Sequence, residues 1–124
     1  MEHVTKIDFV TGIKLRTKNF VLESIKFYQT LPQTEEARII GRQFIRSASS
    51  VGANYRAACR SRSKAEFFAK LSIVVEEADE TAFWIEILTE SGITDNLKTQ
   101  FLLKEVNEIL AITAKARKTV SNNK

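Results

Sequence analysis

Between Phe67 and Leu88, apolar and small residues recur at steps of four and three: Phe67, Leu71, Val74, Ala78, Thr81, Ile85 and Leu88. This is the a/d spacing of a helix whose seam packs in a left-handed bundle. Leu102, Val106, Ile109, Thr113, Ala116 and Val120 repeat it, and Ile13, Thr17, Phe20, Ser24, Phe27 and Leu31 follow it with fewer apolar members. A further inward stripe reads Ala37, Gly41, Phe44, Ile45, Ala48, Gly52, Tyr55 and Cys59, with Ser47, Ser49, Ser50 and Ala53 around it. Gly41 and Gly52 each cost about 1 kcal/mol against alanine inside a helix, which predicts the close approach of another backbone, in the same chain or a second one.

The breaks between these stripes are short. Thr30-Leu31-Pro32-Gln33-Thr34 stops one helix at the residue before proline and starts the next at Thr34, with Glu35 and Glu36 in its positive first turn. Ser63 and Glu66 have the spacing of a capping box, after Cys59-Arg60-Ser61-Arg62. Gly92 stands where a helix ends, and Thr94 or Asp95 where another begins. Four helices are predicted, at about 8–30, 35–60, 64–91 and 95–119. The tail from Ser121 to Lys124 is expected to fray. Short connections make sequential neighbours antiparallel, so the fold class is all-α, an up-down-up-down four-helix bundle of long helices.

Composition narrows the function more than the fold. The 124 residues make one domain by size, and 44% hydrophobic with 27% charged residues is the balance of a globular chain. One cysteine, Cys59, permits no internal disulfide and suits a reducing, cytoplasmic setting. The N-terminus carries no signal-peptide pattern, and no apolar run reaches the ~20 residues of a membrane span. Glu76, Glu77, Asp79 and Glu80 include carboxylates one turn apart, as in di-metal bundles. Those sites also need inward Glu-x-x-His pairs, and the one histidine, His3, precedes the first helix. Cys59 likewise has no histidine to activate it. No catalytic residue, metal site or cofactor is implied, and the chain is read as a non-enzyme.

Two features exceed what one bundle needs. Ile73, Phe83, Trp84 and Ile87 fall, at 100° per residue, away from the seam of the third helix. They form a candidate subunit interface; the alternative is that the aromatics cover an edge or a loop of their own bundle. The charges are also segregated. Arg38, Arg42, Arg46, Arg56, Arg60, Arg62 and Lys64 occur between Ala37 and Ala65 without one acid, whereas Leu71 to Leu97 holds seven acids and no Lys or Arg. Arg38, Arg42, Arg46, Arg56 and Arg60 share a stripe roughly 80° wide. Arginines at i, i+4 and i+8 repeat every ~6 Å, a spacing that lets several meet successive phosphates. Lys14, Arg16 and Lys18, and Lys115, Arg117 and Lys118, would extend such a surface. The competing explanation is that the arginine row pairs with Glu76, Glu80 or Glu86, within or between subunits. No aromatics interleave with the arginines, so base-specific readout is not expected.

The run Leu31–Glu36, followed by Gln43-Phe44-Ile45-Arg46-Ser47-Ala48-Ser49-Ser50-Val51-Gly52-Ala53-Asn54, resembles the bacterial four-helix family labelled S23 ribosomal protein. Arg60–Phe67, Glu76–Thr81 and Trp84-Ile85 carry the same resemblance, which spans about residues 8–120. Members of that family are encoded in intervening sequences of 23S rRNA. More distantly, the chain is similar to accessory proteins of diversity-generating retroelements. The resemblance implies a barrel-like homopentamer with a basic surface for RNA or DNA. In the retroelement branch it implies RNA and a reverse transcriptase as partners. It carries over Arg46 and Arg60 as candidate contacts, and leaves Asn54 as readily structural. After Asn54 the chain departs from the common pattern: many relatives have an acid and a glycine where this one has Tyr55-Arg56-Ala57-Ala58.

Overall fold

A computed structural model describes residues 6–122, with side chains from Asp8 onward. His3 lies outside the described residues. Four helices follow one another: α1 (Lys6–Tyr28), α2 (Glu35–Cys59), α3 (Lys64–Glu90) and α4 (Asn96–Asn122). Their ends fall within three residues of those predicted, and α4 runs on through Ser121 and Asn122.

The caps are those the breaks encode. The Thr34 hydroxyl accepts from the Ala37 amide at 3.2 Å, and the Ser63 hydroxyl accepts from the Glu66 amide at 3.1 Å. Gly92 takes φ +81°, a left-handed turn that side chains rarely adopt, and its amide donates to the Thr89 carbonyl at 3.1 Å. Asp95, rather than Thr94, caps α4: its carboxylate accepts from the Lys98 amide at 3.1 Å.

The seams meet in one core. Phe20, Phe44, Leu71, Ile85, Leu88 and Ile109 are its largest fully buried side chains. Phe27 and Phe44 join α1 to α2 edge to face, with ring centroids 5.5 Å apart. Ser47, Val51 and Ala58 are buried as well, so the inner face of α2 is wider than the stripe read from its sequence. The polar seam members Thr17 and Thr113 are also buried, each returning its hydroxyl to a carbonyl of its own helix.

The helices do not share contacts evenly. α2 packs most extensively on α3, and α3 on α4, whereas α1 leans mainly on α2 and touches α4 lightly. The close approach of a second backbone predicted for the helix-two glycines occurs at Gly52, against α1 of the same chain, whereas Gly41 meets the side chains of Leu31 and Tyr28. A Cβ at Gly52 would stand 2.7 Å from Val21 Cγ2 and 3.4 Å from the Thr17 carbonyl oxygen. Where α1 and α4 do meet, Arg16 holds Glu105 with two donors, at 2.7 and 2.8 Å, and Glu108 with a third contact at 2.9 Å. These bonds raise the Arg16 guanidinium further above its ordinary value.

Candidate nucleic-acid interface

The arginine stripe of α2 faces away from the core, and the fold divides it. Arg38, Arg42, Arg56, Arg60, Arg62 and Lys64 are all exposed. Arg46 is drawn across to α3, where its guanidinium pairs with Glu77 at 3.3 Å and with Glu80. Glu80 accepts in addition from Trp84 Nε1 at 2.9 Å, and Gln43 Oε1 accepts from Arg46 Nε at 3.1 Å. The fold thus answers half of the question: Arg46 pairs with α3, whereas Arg38, Arg42, Arg56, Arg60 and Arg62 make no ion pair among the described residues.

Toward the C-terminal end of α2 the row becomes concave. Arg56 and Arg60, Arg62 of the turn, and Lys70 of α3 surround a cleft of about 410 Å³ floored by Ala53 and Ala57. The small alanines make the depression, because larger side chains there would level it. Glu66 is the one acid on its lining. Among the described residues, none of Arg56, Arg60, Arg62 and Lys70 makes an ion pair. Reading α2 alone misses Lys70 and Glu66; their i, i+4 spacing on the first turns of α3, opposite the arginine-rich end of α2, is the signal that locates them.

The proposed extensions fare differently. Arg16 is consumed by Glu105 and Glu108, so it does not belong to a basic surface. Lys14, Lys18, Lys115 and Lys118 are exposed, and Arg117 is partly buried. The candidate interface residues also separate. Phe83 stands 50% exposed, and Trp84, 4.9 Å from it between ring centroids, is partly buried against the core of its own bundle. Ile73 and Ile87 are partly buried on the same side of α3 as Trp84. Leu15, Leu22 and Ile25 on α1 and Leu97 and Phe101 at the start of α4 are also exposed.

Tyr55 and Cys59 lie one turn apart at the end of the inner face of α2. Burial pushes the Tyr55 hydroxyl well above its ordinary value, and the neighbouring Cys59 adds to the shift. Burial also pushes the Cys59 thiol up, against the opposing pull of Lys14 and of the Tyr55 hydrogen bond. A protonated, partly buried thiol is a poor nucleophile. Because the folded state holds these protons more tightly, their contribution to stability is complete below the unfolded-state values, ~8.5 for Cys and ~10 for Tyr, and is lost above them. Urea unfolding should thus show stability falling by up to about 1.4 kcal/mol per pH unit above pH ~10 on account of Tyr55. Tyr55→Phe should flatten that decline; equal slopes in the two proteins would show that Tyr55 does not contribute.

Among the described residues, no three His, Cys, Asp or Glu side chains gather as a metal site, and no helix is long and apolar enough to cross a membrane. The fold and its charged cleft define a helical-bundle protein with a basic, concave outer face. The family model of the 23S rRNA-intervening sequence protein matches residues 13–115, and the chain belongs to that family. It is also similar to the crystal structure of a protein with unknown function from the S23 ribosomal protein family of Bacteroides thetaiotaomicron. The TM-score is 0.81 at 27% identity, covering 88% of this chain and 97% of that one. No curated protein is similar enough to count as a relative.

Proposed function

We propose that the chain is a non-enzymatic, homo-oligomeric bundle that binds RNA or DNA through backbone phosphates, in a cytoplasmic setting. The observation that carries this reading is the cleft between α2 and α3, where Arg56, Arg60, Arg62 and Lys70 converge without ion-pair partners among the described residues. Four cations around a depression attract a phosphate chain through counterion release, a term that does not depend on sequence. Arg38 and Arg42 continue the row along α2. Arg46 is the internal control, because its charge is already engaged by Glu77 and Glu80.

Filter binding at two salt concentrations tests the assignment. Arg60→Ala should weaken RNA and DNA binding about equally and flatten the slope of log K against log salt by roughly 0.7 to 0.9. Its melting temperature should stay put, since an exposed unpaired charge contributes little to stability. Arg46→Ala should do the reverse, lowering the melting temperature slightly and leaving the salt slope alone. Equal affinity in wild type and Arg60→Ala would overturn the proposed contact.

A second reading, a protein-interaction adaptor, is favoured by the exposed apolar residues: Leu97 is 81% exposed and Phe101 61%. Self-association, as the pentamer implied by resemblance, uses such surface too. Phe83 is the residue to test, because Trp84→Glu would also damage the protomer that Trp84 packs against. Phe83→Glu should reduce the sedimenting mass with the helical content unchanged. A wild-type chain that sediments as a 14.1 kDa monomer at micromolar concentration would exclude the oligomer.

A further inference from the structure

A second cleft, larger than the first at about 930 Å³, lies at the end of the bundle where α1 begins, α2 ends, α3 begins and α4 ends. Its walls are apolar: Phe9 and Val10 from α1, Phe67 and Leu71 from α3, Ile112 and Ala116 from α4. It exists because α1 touches α4 lightly, which leaves the inner faces of both partly uncovered at this end. Arg62 and Lys115 belong to the lining, and among the described residues none of the lining is acidic.

We propose that this cleft binds a single-chain anionic amphiphile, a long-chain carboxylate, with its alkyl chain against Phe67, Leu71 and Ile112 and its head group toward Arg62 and Lys115. The size falls in the range of small-molecule sites, ~300–1,000 Å³, and an apolar interior with a few placed charges is their usual composition. Charge complementarity selects the head group: Arg62 and Lys115, which make no ion pair among the described residues, favour an anion and disfavour a cation. The polar groups at the base, Tyr55 and Cys59, are held protonated by burial and so leave the interior uncharged at neutral pH. The site is separate from the nucleic-acid cleft in all but Arg62, which borders both.

Isothermal titration of the full chain with dodecanoate, below its micelle concentration, tests this. One molecule per chain is expected, with a Kd on the order of 10 μM, and dodecyltrimethylammonium should bind at least about tenfold more weakly. Ala116→Trp should fill the cleft and abolish binding. The double variant Arg62→Ala/Lys115→Ala removes only rim charge, so it should keep its melting temperature and weaken dodecanoate about tenfold. If Ala116→Trp fails to fold, the double variant still decides. Absence of saturable heat, equal binding of the two head-group signs, or undiminished affinity in the double variant would overturn the proposal. So would capture of an acidic amphipathic peptide by a chain that ignores dodecanoate.

Discussion

Gly52→Ala should destabilise the protein by about 1–2 kcal/mol, although alanine is the better helix former by ~1 kcal/mol. The new methyl would stand 2.7 Å from Val21 Cγ2, with the Thr17 carbonyl oxygen 3.4 Å away. Valine in a helix keeps essentially one rotamer, so Val21 cannot swing aside. Relief must come from moving α1 away from α2, and that disturbs Phe20 and Phe27, which are buried on the adjoining seam. A fall in melting temperature of roughly 5–10 °C is expected. Val21→Ala should restore most of it when combined with Gly52→Ala, giving a favourable coupling in a double-mutant cycle. Gly41→Ala is the contrasting case. Its methyl would meet Leu31 Cδ1 at 2.9 Å and the Tyr28 ring at 3.1 Å, both the far ends of side chains that can shift. Its effect should stay within about 0.5 kcal/mol. A Gly52→Ala protein as stable as wild type would show that α1 is not held this closely.

Arg16→Ala should cost about 2 kcal/mol, the second large effect. Arg16 forks onto Glu105, which is 19% exposed, and reaches Glu108 as well. Removing it leaves two carboxylates one turn apart, one of them partly desolvated, with no cation between them. The damage should be local. Since α1 touches α4 lightly elsewhere, amide exchange should rise first in the N-terminal half of α1, while α2 and α3 stay protected. Replacing Glu105 and Arg16 together by Leu and Met should recover stability, because the pair is then exchanged for apolar packing. Uniform loss of protection along all four helices would contradict the local role.

The a/d seams were legible because every helix buries one stripe, and that stripe has the period of a helix: Leu71, Val74, Ala78, Ile85 and Leu88 all fall in the core. The caps were legible because their chemistry is local to a few residues. What was not legible depends on distances between helices. Angular position alone placed Ile73, Trp84 and Ile87 away from the seam; it could not show that α2 covers this edge of α3, with Glu80 there to satisfy the indole. The same applies to charge. Arg16 and Arg46 look like their neighbours in sequence, and only the approach of Glu105, Glu77 and Glu80 from other helices sets them apart. Lys70 is not legible from its own helix, because it completes a cleft whose other cations lie on α2 and in the turn that follows it.

The chain has one tryptophan, and its indole sits in the Arg46–Glu80 network that joins α2 to α3. Intrinsic emission is therefore a point probe of that edge, not an average over the molecule. Loss of the Glu80 carboxylate frees the indole N–H to water and should shift emission to the red while the helices remain. Neither cleft has Trp84 on its lining, so a ligand that occupies one of them can leave the signal flat. A silent fluorescence titration of this protein thus leaves binding at either cleft open, and a shift in emission reports a change at the Arg46–Glu80–Trp84 edge.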